Sequence, residues 1–595
     1  PSQRLYVRLF IRKHGWKRKI VYPEIDSDLH PLIKELIASN FVLPSSSLRS
    51  LKTSLELLDN SELKVCAKDL KGVKLNGFNR DAMMKAIMMH VKSNRSIESH
   101  FYNNRESNSI SFNVLKRVLK ILNDSAFCIN HETSRVFKRM ALLSFPPDLN
   151  EDEIGVAFGS KLFNLLQLTK GEIKYPYYTV NKVREVFKAR QDLINYEESC
   201  ELESDILTAI EKRDYMKILT DYLPKTKNLY SQFISNEALN ADRKLPDYLR
   251  IFTAGHILIR CFTHCVGVLE QQKHFEEAVA MYKFLLNQTV YCQDYRGKWY
   301  ERLTIVYDHH LKKQLKAYNN ICKALKDSKV RIGHRYSLYR RGLKLKEILN
   351  KFFIELPEYS FNIPDVTIEA PAFCKQVGDR KNLFIQTDED GSVTFISVED
   401  AVLNHYKESG YPSGLHSEGL VYHSLFGLLF WDIIYYDKKL VADAFRTPYQ
   451  TIPLDLNSDI FYTRRRELIQ QKINKLRSFT ADDMCNEMES VWNENKGCLC
   501  LVNWEKCDIK QLKEIVHCMK VNTIIEVCEM LAKHFRHTRS GFPDLLIWNA
   551  DKNLIKAIEV KGPGDQLSPK QSLWINNLNK AGLRTEVCFV KAKKC

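Results

Sequence analysis

Two carboxylates and a lysine in the C-terminal part of the sequence have the types and spacing of a metal-dependent hydrolytic centre. Asp544 closes the segment Gly-Phe-Pro-Asp, and Glu559, Val560 and Lys561 follow in a later apolar run. On a β-strand, the side chains of Glu559 and Lys561 leave the same face. Two converging carboxylates, with the backbone carbonyl of Val560 as a further donor, would bind Mg²⁺ or Mn²⁺. Such a cation polarises a phosphate and lowers the pKa of a bound water, which Lys561 would orient.

The surrounding pattern predicts the strands that must position this group. Apolar runs on either side of an Asp-Lys-Asn turn predict a β-hairpin made of residues 545–549 and 554–561, and residues 584–590 predict a returning strand. A helix lies between them, so the order is strand, strand, helix, strand around an Asp…Glu-x-Lys group. That order predicts a nuclease. The alternative is a surface hairpin that carries a salt-bridged Glu–Lys pair.

The helix that follows the hairpin has clear start and stop signals. Ser568 suits the N-cap and Pro569 the first helical position, and Gly582 predicts the end of the helix. Lys570 and Gln571 therefore lie in the first turn, where the backbone amides and the helix dipole favour an anion. We expect both residues to contact phosphate.

Composition points to an intracellular protein with an anionic partner. The net charge is +17 and the pI about 9.0, which is typical of proteins that neutralise phosphates, although an inert basic surface is the alternative. Sixteen cysteines without regular spacing and the lack of a signal peptide favour a reducing compartment. The close pairs Cys261/Cys265 and Cys498/Cys500 have no matching second pair, so we expect no zinc site. The apolar run at 420–434 predicts a buried helix rather than a membrane span. The start at Pro1 suggests a piece of a longer protein.

The upstream sequence predicts modules that would grip DNA and a helical scaffold. Residues 4–19 interleave cations with aromatics, which indicates either a nucleic-acid surface or an amphipathic helix with solvated cations. Residues 58–70 and 80–91 predict a helical hairpin that resembles the SAP module, with an ordinary hairpin as the alternative. Residues 200–350 are strongly helical, with similar amphipathic helices about forty residues apart, which predicts a tetratricopeptide-like stack.

The motif Pro543-Asp544…Glu559-Val560-Lys561 is similar to that of the PD-(D/E)xK nuclease superfamily, in its VRR-NUC branch. Over essentially its whole length the chain resembles the Fanconi-associated nuclease family. Further segments carry this resemblance: the SAP-like hairpin and residues 5–10, 294–299, 427–434, 453–456 and 535–537. The resemblance implies a nuclear enzyme that uses Mg²⁺ or Mn²⁺. It implies endonucleolytic cutting of 5′ flaps, 5′-to-3′ exonuclease activity and a role in interstrand-crosslink repair.

The resemblance also implies functional residues far from the motif. Glu418 matches a further acidic metal ligand, although the sequence alone indicates a helix-start carboxylate stabilised by the dipole. Lys298 and His334 match a basic pocket for the 5′ phosphate, and Arg536 and Lys570 match positions expected to touch the scissile strand. Lys298 stands where the best-known members carry arginine. Because a lysine is a point charge rather than a bidentate fork, we expect weaker or differently shaped anchoring of the DNA end.

We therefore predict a multidomain protein, mostly α, with a C-terminal α/β PD-(D/E)xK nuclease domain. Residues 1–95 would form a DNA-binding region of winged-helix type with a SAP-like motif at 46–93, and residues 96–200 its helical remainder. Residues 201–375 would form the tetratricopeptide-like domain. Residues 376–595 would form the VRR-NUC nuclease domain, with its core at 480–592.

Two other functions remain open at this stage. A DNA-junction resolvase shares the nuclease fold, but resolvases act as symmetric dimers, so cleavage of a single flap by a monomer would decide against it. A catalytically inactive DNA-binding adaptor would bind flap DNA without metal-dependent cleavage. The Asp…Glu-x-Lys group opposes the adaptor, since an inactive site has no physical reason to keep like charges buried together. The number of metals, the cut position, the oligomeric state and repair-protein partners stay open.

Overall fold

The structure is a computed structural model, and it divides the chain into two compact units, one within residues 1–166 and the other within residues 167–595. The residues that it describes are 1–12, 15–68, 70, 79–93, 110–144, 158–349, 361, 363–373, 383–387, 393–435 and 441–594. In these parts of the chain no helix combines the length and the apolar content that crossing a membrane requires.

The first unit is built from short helices around a small antiparallel sheet. Its three strands run in the order β1-β3-β2. Its elements are α1 (Ser2–Ile11), β1 (Lys17–Arg18), α2 (His30–Ala38), β2 (Val42–Pro44), α3 (Leu51–Glu56), α4 (Asn60–Ala67), α5 (Arg80–Ser93), α6 (Ile110–Leu122), β3 (Ala126–Ile129), α7 (His131–Ser144) and α8 (Phe158–Thr169), the last of which continues into the second unit.

The N-terminal segment is the amphipathic helix that the sequence left as one of two alternatives. The buried face of α1 carries Tyr6 and Phe10, which pack in a core with Leu5 and Leu9. The arginines of α1 lie on its exposed face. The two aromatic rings are thus used for packing and cannot stack on bases, so only the cations of this helix are available to a phosphate backbone.

The SAP-like hairpin is described only in part. Its two helices are α4 and α5, which pack through Leu63, Cys66 and Ile87. A capping box between Asp59 and Glu62 starts α4. Residues 71–78, between the two helices, lie outside the described residues. The SAP module and the winged-helix type of this region therefore stay predictions.

The second unit begins with a stack of helices, as the helical periodicity predicts. The similar amphipathic helices expected about forty residues apart are α15 and α17. The helices are α9 (Arg190–Glu211), α10 (Tyr215–Lys217), α11 (Leu223–Phe233), α12 (Asn236–Lys244), α13 (Asp247–Arg250), α14 (Ala254–Gln271), α15 (Phe275–Asn287), α16 (Arg296–Ile305), α17 (Gln314–Lys326) and α18 (Ile332–Leu349).

A seven-stranded mixed sheet with helices on its faces completes this unit. The strand order is β6-β5-β4-β10-β9-β8-β7, with β10 parallel to both neighbours and the other pairs antiparallel. The elements are β4 (Asp365–Phe373), β5 (Leu383–Thr387), β6 (Val393–Ile396), α19 (Val398–Glu408), β7 (Ser413–His416), α20 (Leu420–Leu429), α21 (Trp431–Ile434), α22 (Ile460–Arg477), α23 (Ala481–Asn495), α24 (Ile509–Cys518), α25 (Val521–Thr538), β8 (Leu545–Asn549), β9 (Leu554–Lys561), α26 (Pro569–Lys580) and β10 (Thr585–Lys594).

The sheet extends further toward the N-terminus than the sequence indicates. Strand β4 pairs with β10, so the sheet starts before the predicted domain border at residue 375. Tyr178 also packs into the core that surrounds α20, although residues 96–200 were expected to belong to the DNA-binding region. The apolar run at 420–434 is buried, and it forms two helices, α20 and α21, which are separated at Phe430. Pairings between distant segments, which local patterns do not reveal, set these borders.

Candidate metal centre

The β8–β9 hairpin brings Asp544 next to Glu559. Leu545 pairs with Ile558 in the antiparallel register, so Asp544, one residue earlier, comes opposite Glu559. The backbone N–H of Val560 donates to Oδ2 of Asp544 over 2.8 Å. This bond fixes one carboxylate oxygen of Asp544 and leaves the other oxygen available to a ligand. The hairpin, with the bounds that the sequence predicts, is confirmed.

Glu559 is a fully buried carboxylate with only one satisfied oxygen. Its exposed fraction is 0%, and Lys561 Nζ lies 2.8 Å from its Oε1. The side-chain amide of Gln571 also donates to Oε1, whereas the buried Oε2 has no hydrogen-bond partner. Burial, together with the nearby charge of Asp544, raises the pKa of Glu559 to about 8. An oxygen of this kind is costly to bury unless it binds a cation, so the site fits a divalent metal.

A third acidic group reaches the same place from a distant part of the chain. Strand β7 pairs with β8, and the N–H groups of Ser417 and Glu418 donate to the carbonyl of Asp544 over 2.9 and 3.3 Å. Within the described residues, His416, Glu418 and Asp544 form a group whose possible ligand atoms all lie within 4.8 Å of one another. Carboxylate oxygens with one imidazole suit a divalent cation.

His416 is the residue that the sequence analysis missed. Its Nε2 lies 3.3 Å from Oε1 of Glu418. The spacing His-x-Glu at the end of a short strand is the signal that would have found it, since alternate strand residues share a face. Glu418 itself has a positive φ of 39° and a side chain that is 72% exposed. Glu418 thus lies at a solvent-exposed edge of the centre, whereas Glu559 is fully buried.

Burial also raises the pKa of Asp544. Two acids with raised pKa values and a buried unpartnered oxygen show that the fold provides too little positive charge of its own here. Lys561 supplies one cation, and it is bound to Oε1 of Glu559. The remaining acidic oxygens are arranged as ligands for a cation from solution.

A close approach between two chain segments holds Glu418 near the hairpin. Gly419 has a φ of 94°, and a Cβ at this position would lie 2.6 Å from Cδ2 of Phe542. The turn after Glu418 therefore requires glycine, both for its backbone conformation and for its packing. Phe542 precedes Asp544 by two residues, so this contact couples the positions of the two acids.

Helix α26 begins as the sequence predicts and contacts the centre directly. Ser568 is the N-cap, Pro569 occupies the first turn, and a capping box joins Ser568 to Gln571. The side chain of Gln571 donates to Glu559 and accepts the N–H of Ser568, so both ends of its amide are engaged within the protein. Lys570 is exposed in the same turn. Contact of either residue with DNA stays a prediction.

The residues predicted to bind the DNA end lie on the helical layer beside α26. Lys298 is exposed on α16, and His334 on α18 packs its ring against Gly297, where a Cβ would lie 2.5 Å from the ring. His334 Nδ1 also lies 3.0 Å from a carboxylate oxygen of Glu301. A Cβ on Gly333 would lie 3.4 Å from Cγ of Lys570. The segment that carries Lys298 is thus next to His334, and the segment that carries His334 is next to Lys570.

Arg536 takes part in a partly buried ion cluster between the helical layer and the sheet region. Its Nη1 lies 2.7 Å from Oδ2 of Asp294, and Arg331 and His537 approach Oδ1 of the same carboxylate at 3.3 and 3.6 Å. Arg331 also lies 2.9 Å from Asp459. The structure thus gives Arg536 a partner within the protein, and its expected contact with the scissile strand stays a prediction.

Comparison with known proteins agrees with this architecture. Residues 192–346 match the family model of the "Fanconi-associated nuclease 1, TPR domain", and residues 482–592 match the VRR-NUC domain model. Fanconi-associated nuclease 1 of Danio rerio is 34% identical, covering 100% of this chain and 61% of that protein. The Homo sapiens protein is 35% identical, with 99% and 58% covered. The Fanconi-associated nuclease 1 homolog of Caenorhabditis elegans is 30% identical, with 99% and 69% covered.

A solved structure shares the fold along the whole chain. The crystal structure of paFAN1 bound to 2-nt 5′-flap DNA with a gap superposes with a TM-score of 0.68 at 19% identity, covering 100% of this chain and 91% of that one. At this identity the likeness shows the fold. The chain spans about three fifths of the length of its vertebrate relatives, 61% for the fish protein and 58% for the human one.

Proposed function

The chain belongs to the Fanconi-associated nuclease family, and we propose that it is a structure-specific DNA nuclease that hydrolyses phosphodiester bonds with the help of a divalent metal. The observation that carries this proposal is the buried, unpartnered Oε2 of Glu559 next to the carboxylate of Asp544. A hydrolytic metal site needs such oxygens, whereas an inert hairpin would pair or expose them.

The residues present fit Mg²⁺ or Mn²⁺. Asp544, Glu559 and Glu418 would hold the metal, with His416 and the carbonyl of Val560 as possible further ligands. When bound, the metal would supply Lewis-acid activation of the scissile phosphate and of the attacking water. Lys561, fixed by its ion pair with Glu559, would orient the water and offset charge on the phosphate.

Gln571 acts through Glu559 in this proposal. Its amide donates to Oε1 and leaves Oε2 free for the metal. Because the capping box fixes Gln571 at the start of α26, the start of this helix is tied to Glu559. Gln571 is thus a positioning residue, and its replacement would weaken metal binding more than it weakens DNA binding.

We further propose branched DNA with a 5′ flap as the substrate, cut endonucleolytically and degraded 5′ to 3′, in support of interstrand-crosslink repair in the nucleus. Support comes from the fold shared with paFAN1, whose crystal structure contains 5′-flap DNA. The exposed Lys298 and Lys570, with His334 between them in the series of contacts, form a basic surface beside the metal centre. Such a surface suits a terminal phosphate and the strand that leads from it to the cut.

The test is cleavage of an end-labelled 5′-flap DNA by wild type and by Asp544→Ala, in Mg²⁺, Mn²⁺ or EDTA. Wild type is expected to cut only with metal, and the variant to bind the DNA without cutting. Asp551→Ala, an exposed acid in the turn of the same hairpin, is the matched control and should cut like wild type. Equal cleavage by wild type and Asp544→Ala would refute the assignment. Binding of flap DNA by wild type without any metal-dependent cleavage would favour the inactive adaptor.

A further inference from the structure

A cavity of about 350 Å³ adjoins the metal centre on the side of α20, and the proposed activity gives it no role. Its wall includes Ser417, His423, Asn503 and Lys506, together with the possible ligands His416 and Glu418. The volume lies within the range of small-molecule sites and exceeds the space that a single water or ion needs. The question is which part of a substrate would enter it.

Two polar atoms in the wall are buried without partners. Ser417 is only 3% exposed, and its Oγ has no hydrogen-bond partner. Nε2 of His423 is also buried and unpartnered. Buried polar groups of folded proteins almost always have partners, so these two atoms at one cavity are available to a ligand or to a water that enters it.

The remaining wall adds positive charge on a rigid loop. Asn503 Oδ1 accepts the N–H of Lys506 over 2.9 Å, and the N–H of Asn503 donates to Oγ of Ser424 on α20 over 3.2 Å. The loop that carries the exposed Lys506 is thus tied to the helix whose first turn borders the cavity. The N-terminus of α20 contributes a partial positive charge to the same space. A cation, a hydroxyl donor and an imidazole around a helix N-terminus match a phosphate group.

The cavity and the basic surface of Lys298 and Lys570 lie on different flanks of the centre. The ring of Phe542 stacks on Tyr422 of α20 at 4.7 Å and on Trp574 of α26 at 3.9 Å. Each face of a ring stacks on one partner, so Tyr422 and Trp574 lie on opposite faces of Phe542. The ring of Phe542 therefore lies between α20 and α26. His423 meets the edge of Phe542 on the α20 side, and Lys570 belongs to α26. A strand that crosses the metal centre would therefore have protein contacts on both flanks.

We propose that this cavity binds a phosphate group of the substrate strand on the α20 side of the cut, with Lys506, Ser417 and His423 as its contacts. This inference rests on the proposed nuclease function, since Glu418 at the edge of the cavity repels an anion until a metal neutralises it. The surface of Lys298 and Lys570 would bind one phosphate of the strand, and the cavity would bind a second. The two contacts together would define the direction in which the strand crosses the metal centre.

A binding experiment tests the cavity apart from catalysis. Isothermal titration calorimetry of the whole chain in Mg²⁺ would use three probes: thymidine 5′-monophosphate, inorganic phosphate and thymidine. The expected result is binding of the two phosphates but not of thymidine, weakened roughly tenfold by Lys506→Ala. Lys510→Ala, an exposed lysine on nearby α24 outside the cavity wall, is the control and should bind as wild type does. Equal affinities for Lys506→Ala and Lys510→Ala, or binding of thymidine alone, would overturn the proposal.

Ser417→Ala separates binding from folding. Removing a buried hydroxyl that has no partner should leave the unfolding temperature unchanged or slightly higher, because no bond is lost. The same change should weaken binding of thymidine 5′-monophosphate several-fold. A lower unfolding temperature with unchanged binding would mean that the hydroxyl serves the fold, and the proposal would fail.

Cleavage with modified DNA then locates the phosphate. Flap substrates with a neutral methylphosphonate at one position at a time would be cut by wild type and by Lys506→Ala in single turnovers. The expected result is one position at which the methylphosphonate slows wild type but leaves Lys506→Ala almost unaffected. Additive losses at every position would overturn the proposal. If wild type cuts no substrate, the nuclease function fails, and the titration alone still decides whether the cavity binds phosphate.

Discussion

Two pairs of carboxylates in the same unit illustrate opposite ways of accommodating acidic charge in the fold. Asp294 and Asp459, at the boundary between the helical layer and the sheet region, share the guanidinium of Arg331 at 3.3 and 2.9 Å. The charge of Arg536 helps to hold the pKa of Asp294 below its ordinary value. A hydrogen bond from His534 does the same for the pKa of Asp459. Asp544 and Glu559, in the hairpin, have raised pKa values instead.

The difference separates a structural cluster from a ligand site. The fold provides arginines where the acids join two layers, and it provides a single lysine where the acids face the proposed metal. The first pair should therefore stabilise the protein as it stands, whereas the second should cost stability until a cation arrives. Each of the two pairs of acids can be tested separately by mutation.

The largest effect is expected from Asp544→Asn. The amide keeps an oxygen for the N–H of Val560 but loses the charge that the metal needs. Cleavage should fall at least about a thousandfold, on the order of 4 kcal/mol of transition-state stabilisation. The unfolding temperature in EDTA should stay the same or rise, because the amide replaces a carboxylate whose charged form is disfavoured by burial. Single-turnover cleavage and a thermal melt measure the two quantities.

Asp551→Asn serves as the neutral control in both measurements, since this residue is exposed in the hairpin turn. A clear drop in the unfolding temperature of Asp544→Asn alone would contradict the comparison. Asp544 would then be a structural acid like Asp294, and the loss of cleavage would report damage to the hairpin.

Asp294→Asn should have the opposite signature and the next largest effect. It leaves Arg331 and Arg536 without their shared carboxylate. Breaking a fully buried ion pair from one side costs roughly 3–5 kcal/mol, which is an upper limit here because the Asp294 side chain is 25% exposed. The midpoint of urea unfolding should fall clearly, while Asp205→Asn, an exposed acid on α9, should leave it unchanged. An unchanged midpoint for Asp294→Asn would show that the cluster is not what joins the layers.

The contrast between local and distant contacts also explains which parts of the site the sequence reveals. The bounds of β8 and β9 agree with the prediction, because alternation, a turn of three polar residues and the following helix cap are all local signals. Ser568 as N-cap and the positive φ of Gly582 after α26 follow from local chemistry in the same way. Asp544, Glu559 and Lys561 could therefore be placed together from the sequence.

The other half of the site depends on pairing across more than a hundred residues. Nothing in residues 413–416 indicates that β7 will pair with β8, so the sequence pattern alone does not bring Glu418 to Asp544. The family resemblance supplied Glu418, and His416 was missed altogether. The partnership of Asp294 with Arg536 is equally distant, and so is the pairing of β4 with β10. Local periodicity carries no information on such contacts.

Asp544 and Glu559 should destabilise the folded protein without metal and stabilise it when a divalent cation is bound. At a concentration a hundred times its dissociation constant, Mn²⁺ is expected to add about 2.7 kcal/mol to the free energy of unfolding. EDTA should reverse the rise in unfolding temperature, and Asp544→Asn should show little of it. A rise of equal size in Asp544→Asn would place the stabilising metal elsewhere.

The smallest effect, and the one that tests the cluster by itself, is the pH dependence of Asp459→Asn. A hydrogen bond from His534 and the charge of Arg331 lower the pKa of Asp459 from 3.8 to about 2. A carboxyl with a lowered pKa stabilises the folded state above its ordinary value, and this contribution is lost as the pH falls. Because the side chain is 48% exposed, solvent screening limits the contribution to about 1 kcal/mol or less. The difference in stability between wild type and Asp459→Asn should fall by about half between pH 5 and pH 3. A difference that stays constant down to pH 3 would mean that Asp459 acts through packing rather than charge, and the contrast with the hairpin acids would then rest on Asp294 alone.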